Sequence, residues 1–358
     1  MPEAAAAQQE PATDGDAGSS FLDGLQWQVM ASGFYLFNAH RVTGAYNELG
    51  YPYTNYMGFG LNFAGGDLSY TGEKFALTIG LRFGTAAPLL SALAPLKQGF
   101  VSWFPHRKLA LDFGWFDTIF GAEVADEWQN PTFTRGALYF LQQPFNHMGI
   151  RMGATLTEKV TLKFLLVNNR VRVGELGGSP KAGVETPSIG AQLNVSPADA
   201  LTLQVGYMAG AGGQSGNRAW GQFFDLILTA KIERFTLIFN GSATLDSPAR
   251  SGQYSYGMEL QGDMLVHDHW KVGARVEYLG GTVDVATGLD PDLLTVTAIV
   301  RYLPVQHLVI SLEPQFELSQ QDLFFTRGSP TDPSTGDRIA NSGIYFGLVL
   351  GVSAYIGN

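Results

Sequence analysis

Three observations predict the fold class. From Gly24 onward, apolar and polar residues alternate with a period of two. The connectors between these stretches alternate between long and short. Charged residues make up only 15% of the 358, against 12% aromatics and 44 glycines, yet no apolar run reaches the roughly 18 residues that a transmembrane helix needs. Together they predict an all-β chain: a transmembrane antiparallel up-and-down β-barrel of about 16 strands, with short periplasmic turns and long extracellular loops.

The elements follow in order. Residues 1–23 hold Glu3, Glu10, Asp14, Asp16 and Asp23, so they carry -5 of the net -10. With little that is apolar, they read as a disordered acidic N-terminal tail. They lack the basic start and apolar centre of a signal peptide, so the expectation is a processed chain whose leader has been removed. The barrel is expected over 24–358. Its strands are placed near 24–37, 55–71, 74–84, 96–105, 108–118, 144–156, 159–169, 186–195, 200–210, 220–231, 234–244, 252–265, 269–280, 293–303, 306–319 and 342–356.

Alternation is clearest in four stretches. Phe75, Leu77, Ile79, Leu81 and Phe83 oppose Ala76, Thr78, Gly80 and Arg82. Met148, Ile150 and Met152 oppose His147, Gly149 and Arg151. Val160, Leu162, Phe164 and Leu166 oppose Lys159, Thr161 and Lys163. Val272, Ala274, Val276 and Tyr278 oppose Lys271, Gly273, Arg275 and Glu277. A soluble sandwich also alternates, but it has no reason to sort its connectors. Tight turns fall at Tyr70–Glu73, Pro105–Arg107, Thr157–Glu158, Ser196–Asp199, Ile232–Glu233, Val266–Asp268 and Pro304–Val305. The segments 38–54, 85–95, 119–143, 170–185, 211–219, 245–251, 281–292 and 320–341 are mostly much longer. Aromatics near strand ends, among them Trp27, Tyr35, Trp103, Trp115, Phe116, Trp220, Phe223, Phe224, Trp270 and Tyr302, read as two interfacial girdles.

Composition excludes several function classes. The chain has no Cys, which removes disulfides, thiolate metal sites and thiol catalysis. Its acidic balance argues against nucleic-acid partners. His267, Asp268 and His269 lack further ligands for zinc. Asp284, Asp290 and Asp292 lack EF-hand spacing for calcium. No G-x-S-x-G elbow occurs, so no enzyme, cofactor or metal is expected.

Residues 111–151, LDFGWFDTIFGAEVADEWQNPTFTRGALYFLQQPFNHMGIR, carry a family resemblance. Phe116, Asp117 and Thr118, then Gly121 with Glu123, Asn130 followed by Thr134 and Arg135, and Pro144, His147, Gly149 and Arg151 resemble the OmpL-like putative β-barrel porins of Gram-negative bacteria. The resemblance implies an outer-membrane barrel that acts as a porin, and it implies little about the solute.

The site reading follows from the loop. With both termini periplasmic, 119–143 is the third extracellular loop, where general porins constrict. Trp128, Phe133, Leu138, Tyr139 and Phe140 need a surface to pack on, which points into the lumen. Glu123, Asp126 and Glu127 are then expected on the negative side of a constriction, and Arg82, Arg151 and Lys163 on the positive side. Arg135 is expected as a latch on one of those loop acids or on Asp112 or Asp117. The function expected is passive, weakly selective diffusion of small hydrophilic solutes and ions. The alternative is a plugged barrel serving as an adhesin or assembly scaffold. Expected surroundings are outer-membrane lipid and lipopolysaccharide, and the sequence leaves monomer or homo-oligomer open.

Overall fold

A computed structural model describes residues 24–41, 57–87, 91, 93–168, 187–211, 220–245, 254–281 and 291–358. The expected tail at 1–23, the loop at 170–185, and most of 38–54, 211–219, 245–251 and 281–292, with Asp284 and Asp290, lie outside the described residues.

Sixteen antiparallel strands close into one barrel, each pairing with its sequence neighbour and β1 closing on β16. They are β1 Leu25–Asn38, β2 Gly58–Thr71, β3 Phe75–Phe83, β4 Leu96–His106, β5 Leu109–Asp117, β6 Asn146–Thr157, β7 Val160–Val167, β8 Ser188–Ala198, β9 Leu201–Ala211, β10 Trp220–Ile232, β11 Phe235–Leu245, β12 Tyr254–His267, β13 Trp270–Gly281, β14 Leu293–Val305, β15 Leu308–Ser319 and β16 Ile344–Gly357. All sixteen coincide with the sequence expectation. The larger differences are three residues, at the start of β2 and the end of β8.

The alternation resolves into an apolar outer wall and a polar inner one. Phe75, Leu77, Ile79, Leu81 and Phe83 are all exposed, whereas Ala76 and Arg82 between them are buried. Phe164 and Leu166 face out, and Leu165 and Val167 face in. In a soluble protein so much exposed aliphatic surface would be a liability; here it is the band that meets hydrocarbon.

The aromatic girdles need one correction. Trp27, Trp103, Phe224, Trp270 and Tyr302 are exposed on the outer wall, but Trp115, Phe116 and Phe223 are buried. Phe116 shares its strand face with Asp112, and Phe223 shares its face with Asp225, so both point into the lumen. There they pack in one cluster with Ile119 and Phe120. Position near a strand end does not reveal which face a ring occupies; the two-residue register does.

Two glycines face each other where the third long connector, 118–145, leaves the wall. Gly114 on β5 and Gly149 on β6 stand directly opposite each other, at φ +143° and +154°. Added Cβ atoms would meet the backbone of Gly99 and of Leu166 on the flanking strands. Only glycine fits this paired position, three residues from each strand end.

Candidate functional site: the loop inside the barrel

Connector 118–145 lies within the lumen. Its apolar residues explain part of this. Phe133, Leu138, Tyr139, Phe140 and Phe145 are buried in one cluster with Phe34, Leu36 and Phe63 of β1 and β2 and with Leu279, Leu293 and Tyr345 of β13, β14 and β16. Tyr139 stacks on Phe145 at 4.5 Å, and Trp128 stacks on Tyr355 of β16 at 5.4 Å. The short helix Ala137–Leu141 and a 3-10 turn at Glu127–Gln129 give the segment its own local order.

Polar contacts fix the rest, working along the loop. The Ile119 carbonyl accepts from Gln192 on β8. The Gly121 amide donates to Asp225 Oδ2 at 2.9 Å, and the Ala122 amide to Asn240 Oδ1 at 3.1 Å, on β10 and β11. Glu123 reaches across to β13, where the Arg275 guanidinium pairs with it at 2.8 Å. Asp126 is gripped on both oxygens by Arg82 of β3, each at 2.8 Å, and by Lys97 of β4 at 3.2 Å. Glu127 accepts from Asn62 of β2 at 2.8 Å and from Ser353 of β16 at 2.6 Å. Arg275 also donates to Thr132 Oγ1 at 2.7 Å and to the Thr134 carbonyl. Glu313 of β15 receives the amides of Phe133 and Thr134 and the Thr134 hydroxyl.

Two-atom guanidinium–carboxylate forks such as Arg82–Asp126 are the strongest of these contacts, because both partners are charged and the geometry is fixed. Water is nearly excluded: Glu123, Asp126, Glu127, Arg82, Arg135 and Arg275 are each 2% exposed or less. Burial therefore dominates the loop carboxyls. It pushes Glu123 up to about 7, with Arg275 acting the other way. It raises Glu127 too, against the opposing charge of Arg135. Burial also disfavours the Asp126 carboxylate, but Lys97 and Arg82 together outweigh this and hold it below the usual carboxylate range.

The expected site residues fall into three groups. Glu123, Asp126, Glu127, Arg82 and Arg135 meet in the loop–wall contact. Arg82 pairs directly with Asp126 and, at 2.7 Å, with Asp67, so no gap separates it from the loop acids. Arg135 donates to Asn62 Oδ1 at 3.3 Å and to the Phe133 carbonyl, and lies over the Phe63 ring. Arg151 and Asp112 form a separate pair at 2.7 Å, with the guanidinium against the rings of Phe100 and Phe116. Lys163 stands half-buried on the lumen face of β7, opposite Gly153 of β6, the strand that carries Arg151.

Two further residues of the site, Lys97 and Asn62, stand at bulges. By strict alternation Lys97 shares a face with Val101 and Trp103, which point outward. It is the extra residue where the β3–β4 register shifts, between the pairs Gly80–Gln98 and Leu81–Leu96, and the bulge turns it inward. Asn62 is likewise the extra residue of the β1–β2 bulge, between Ser32–Phe63 and Gly33–Leu61. Bulges re-aim side chains in this way. A sequence offers no signal for a bulge except that a polar residue breaks the period, as Lys97 does; Asn62 keeps the period set by Phe59 and Leu61, and it is Phe63 beside it that the bulge turns inward.

A family model described as "Putative beta-barrel porin-2, OmpL-like" matches residues 24–349. Among solved structures, the OmpT outer-membrane protein of Vibrio cholerae aligns with TM-score 0.58 at 12% identity, covering 93% of this chain and 97% of that one. An anion-selective porin of Comamonas acidovorans aligns with TM-score 0.62 at 10% identity, covering 93% and 99%. OmpF of Salmonella typhi, solved with daunomycin, aligns with TM-score 0.61 at 9% identity, covering 94% and 99%. No curated protein sequence matches. At these identities the structural likeness establishes the barrel fold alone.

Proposed function

The chain belongs to the family of OmpL-like β-barrel porins, and on that premise we propose that it provides passive, weakly selective diffusion of small hydrophilic solutes and ions across the bacterial outer membrane. The observation that carries this reading is a closed barrel whose inner wall is polar and charged, narrowed by one loop that the wall holds through ion pairs. In this reading the loop carboxylates and the wall guanidiniums form the constriction, with Arg135 as a latch whose charge falls on Glu127. The apolar outer wall meets lipid and lipopolysaccharide, and association of barrels through that wall is compatible with it.

Where the described residues leave water access beside the loop, acids outnumber bases. Asp67 and Asp117 keep 24% and 37% of their side-chain surface, around Lys97 at 11%. With Asp126 and Arg82 included, three carboxylates face two cations. A net negative passage concentrates cations until salt screens it, over about 10 Å at 0.1 M. Mild cation preference at low salt, fading at high salt, is the expected result. Reversal potentials across a planar bilayer in a KCl gradient measure it, and anion preference at low ionic strength would contradict it.

The near-complete burial of the loop favours one competing reading, a plugged barrel that serves as an adhesin or scaffold. Single-channel recording separates the two, since a plugged barrel yields no conductance steps.

A further inference from the structure

Glu123 on the loop, Glu259 on β12 and Glu277 on β13 each bring a carboxylate oxygen to within 4.8 Å of the others. Glu259 and Glu277 stand directly opposite in the β12–β13 ladder, and all three are 2% exposed or less. Arg275 pairs with two of them, at 2.8 Å to Glu123 and 3.1 Å to Glu277. Arg135, the next guanidinium, is shared between Glu123 and a fourth buried carboxyl, Glu127, so it leaves the balance of the group unchanged. Three carboxylates against one guanidinium leave a local balance of -2 in a volume that water does not reach. A buried charge of that size is not tolerated without a counter-charge.

A second feature points the same way. Gln261, 1% exposed, stands opposite Arg275 in the ladder and gives its amide nitrogen to Glu259 at 2.5 Å. Its carboxamide therefore lies against the cluster, and its Oε1 has no hydrogen-bond partner. Thr295, fully buried directly across from Glu277 on β14, keeps an unpartnered hydroxyl oxygen. An amide oxygen can only accept, and so can ionised carboxylates, so the Gln261 and glutamate oxygens cannot satisfy one another. A hard cation satisfies these oxygens together.

We propose that Glu123, Glu259 and Glu277, with Gln261 Oε1 beside them, bind one divalent cation of the Ca²⁺ class that staples the lumen loop to the β12–β13 wall. The donor set is all oxygen, as hard cations require. Ligand oxygens held at about 2.3–2.6 Å from a common Ca²⁺ lie no more than about 5 Å apart, which the cluster meets. A charge of +2 cancels the local -2. The inference rests on the loop's position in the lumen and not on conduction, so a barrel that conducts nothing could still bind the ion, and the reverse.

The test is calcium content and calcium-dependent melting of the folded barrel in detergent. Protein stripped with EDTA is re-equilibrated with Ca²⁺, freed of excess by gel filtration and analysed for bound metal. Wild type should retain about one Ca²⁺ per chain, as a single oxygen-lined site would hold, and should melt higher with Ca²⁺ than with EDTA. Glu259→Gln and Glu277→Gln should each weaken retention at least tenfold. Asp199→Asn, on an exposed turn, should leave it unchanged. If either cluster variant fails to fold, the wild-type melting difference still decides. Retention that survives Glu259→Gln, or a wild-type melting temperature indifferent to EDTA, would overturn the proposal. An indifferent wild type together with a Glu259→Gln variant of undiminished stability would assign the cluster to a shared proton instead.

Discussion

Connectors 118–145 and 320–343 leave the same end of the same barrel, are among its longest, and settle in opposite environments. The first is buried along most of its length. The second buries Leu323, Phe324 and Ala340 and exposes nearly everything between Arg327 and Ile339. Its order is internal: Asp332 Oδ1 accepts from the amide and hydroxyl of Ser334 at 2.7 and 2.6 Å, and Asn341 Oδ1 accepts from Ser329 at 2.7 Å. Length therefore does not decide whether a connector enters a barrel. The first loop carries apolar anchors along its length and acids that the wall answers with Arg82, Lys97 and Arg275. The second carries apolar residues at its ends, and its centre turns on itself in water.

The comparison can be broken most forcefully by excision. Deleting 124–134 removes the segment that crosses the lumen and should raise single-channel conductance, whereas deleting 328–336 from the second connector should leave it close to wild type. Equal conductance in a correctly folded 124–134 deletion would leave the narrowing of the pore by this loop without support.

Next in size is the loss of a buried counter-charge. Arg275→Met leaves Glu123 and Glu277 without their guanidinium, and such a loss typically costs about 3–5 kcal/mol. Urea unfolding of the barrel should register it, and adding Glu123→Gln should recover part of the loss. A double variant no more stable than the single one would mean that the pair does not act as a unit.

A smaller, signed effect comes from pH. Glu123 is raised from its ordinary 4.5 to about 7 in the folded chain. Its contribution is therefore full below pH 4.5 and is lost as pH rises through 7. Asp126 is lowered from 3.8, so its contribution is present above that value and is lost as pH falls. In EDTA, wild type should lose stability between pH 5 and 8, and Glu123→Gln should flatten that slope. Parallel slopes in the two proteins would refute the assignment.

The smallest effect belongs to the second connector. Asp332→Ala removes the turn hydrogen bonds from Ser334 in full solvent and should change the urea unfolding free energy by no more than an ordinary surface substitution does, about 0.5 kcal/mol. A loss as large as that of Arg275→Met would mean that this connector, too, is part of the barrel's packed interior.

The sequence by itself determined the sixteen strands, their in–out faces and the presence of a loop that could not remain in water. Each of these is a local property. A period of two follows from strand geometry, and a run such as Phe133 to Phe140 demands burial wherever it is placed. Glu123, Asp126, Glu127, Arg82 and Arg135 were legible as a group because they combine an apolar loop with charges on an inward strand face. Only the tertiary structure decided which charge meets which. Arg82 takes Asp126 and Arg275 takes Glu123, because closing the barrel brings β3 and β13 to opposite flanks of one loop, a matter of curvature that no spacing encodes. Lys97 enters the site only because a bulge adds one residue to its strand and reverses the face of its side chain, and the bulge at Asn62 turns Phe63 into the lumen beside it. The energy that selects a bulge lies in its long-range partners, Asp126 and Glu127, and not in the strand that carries it.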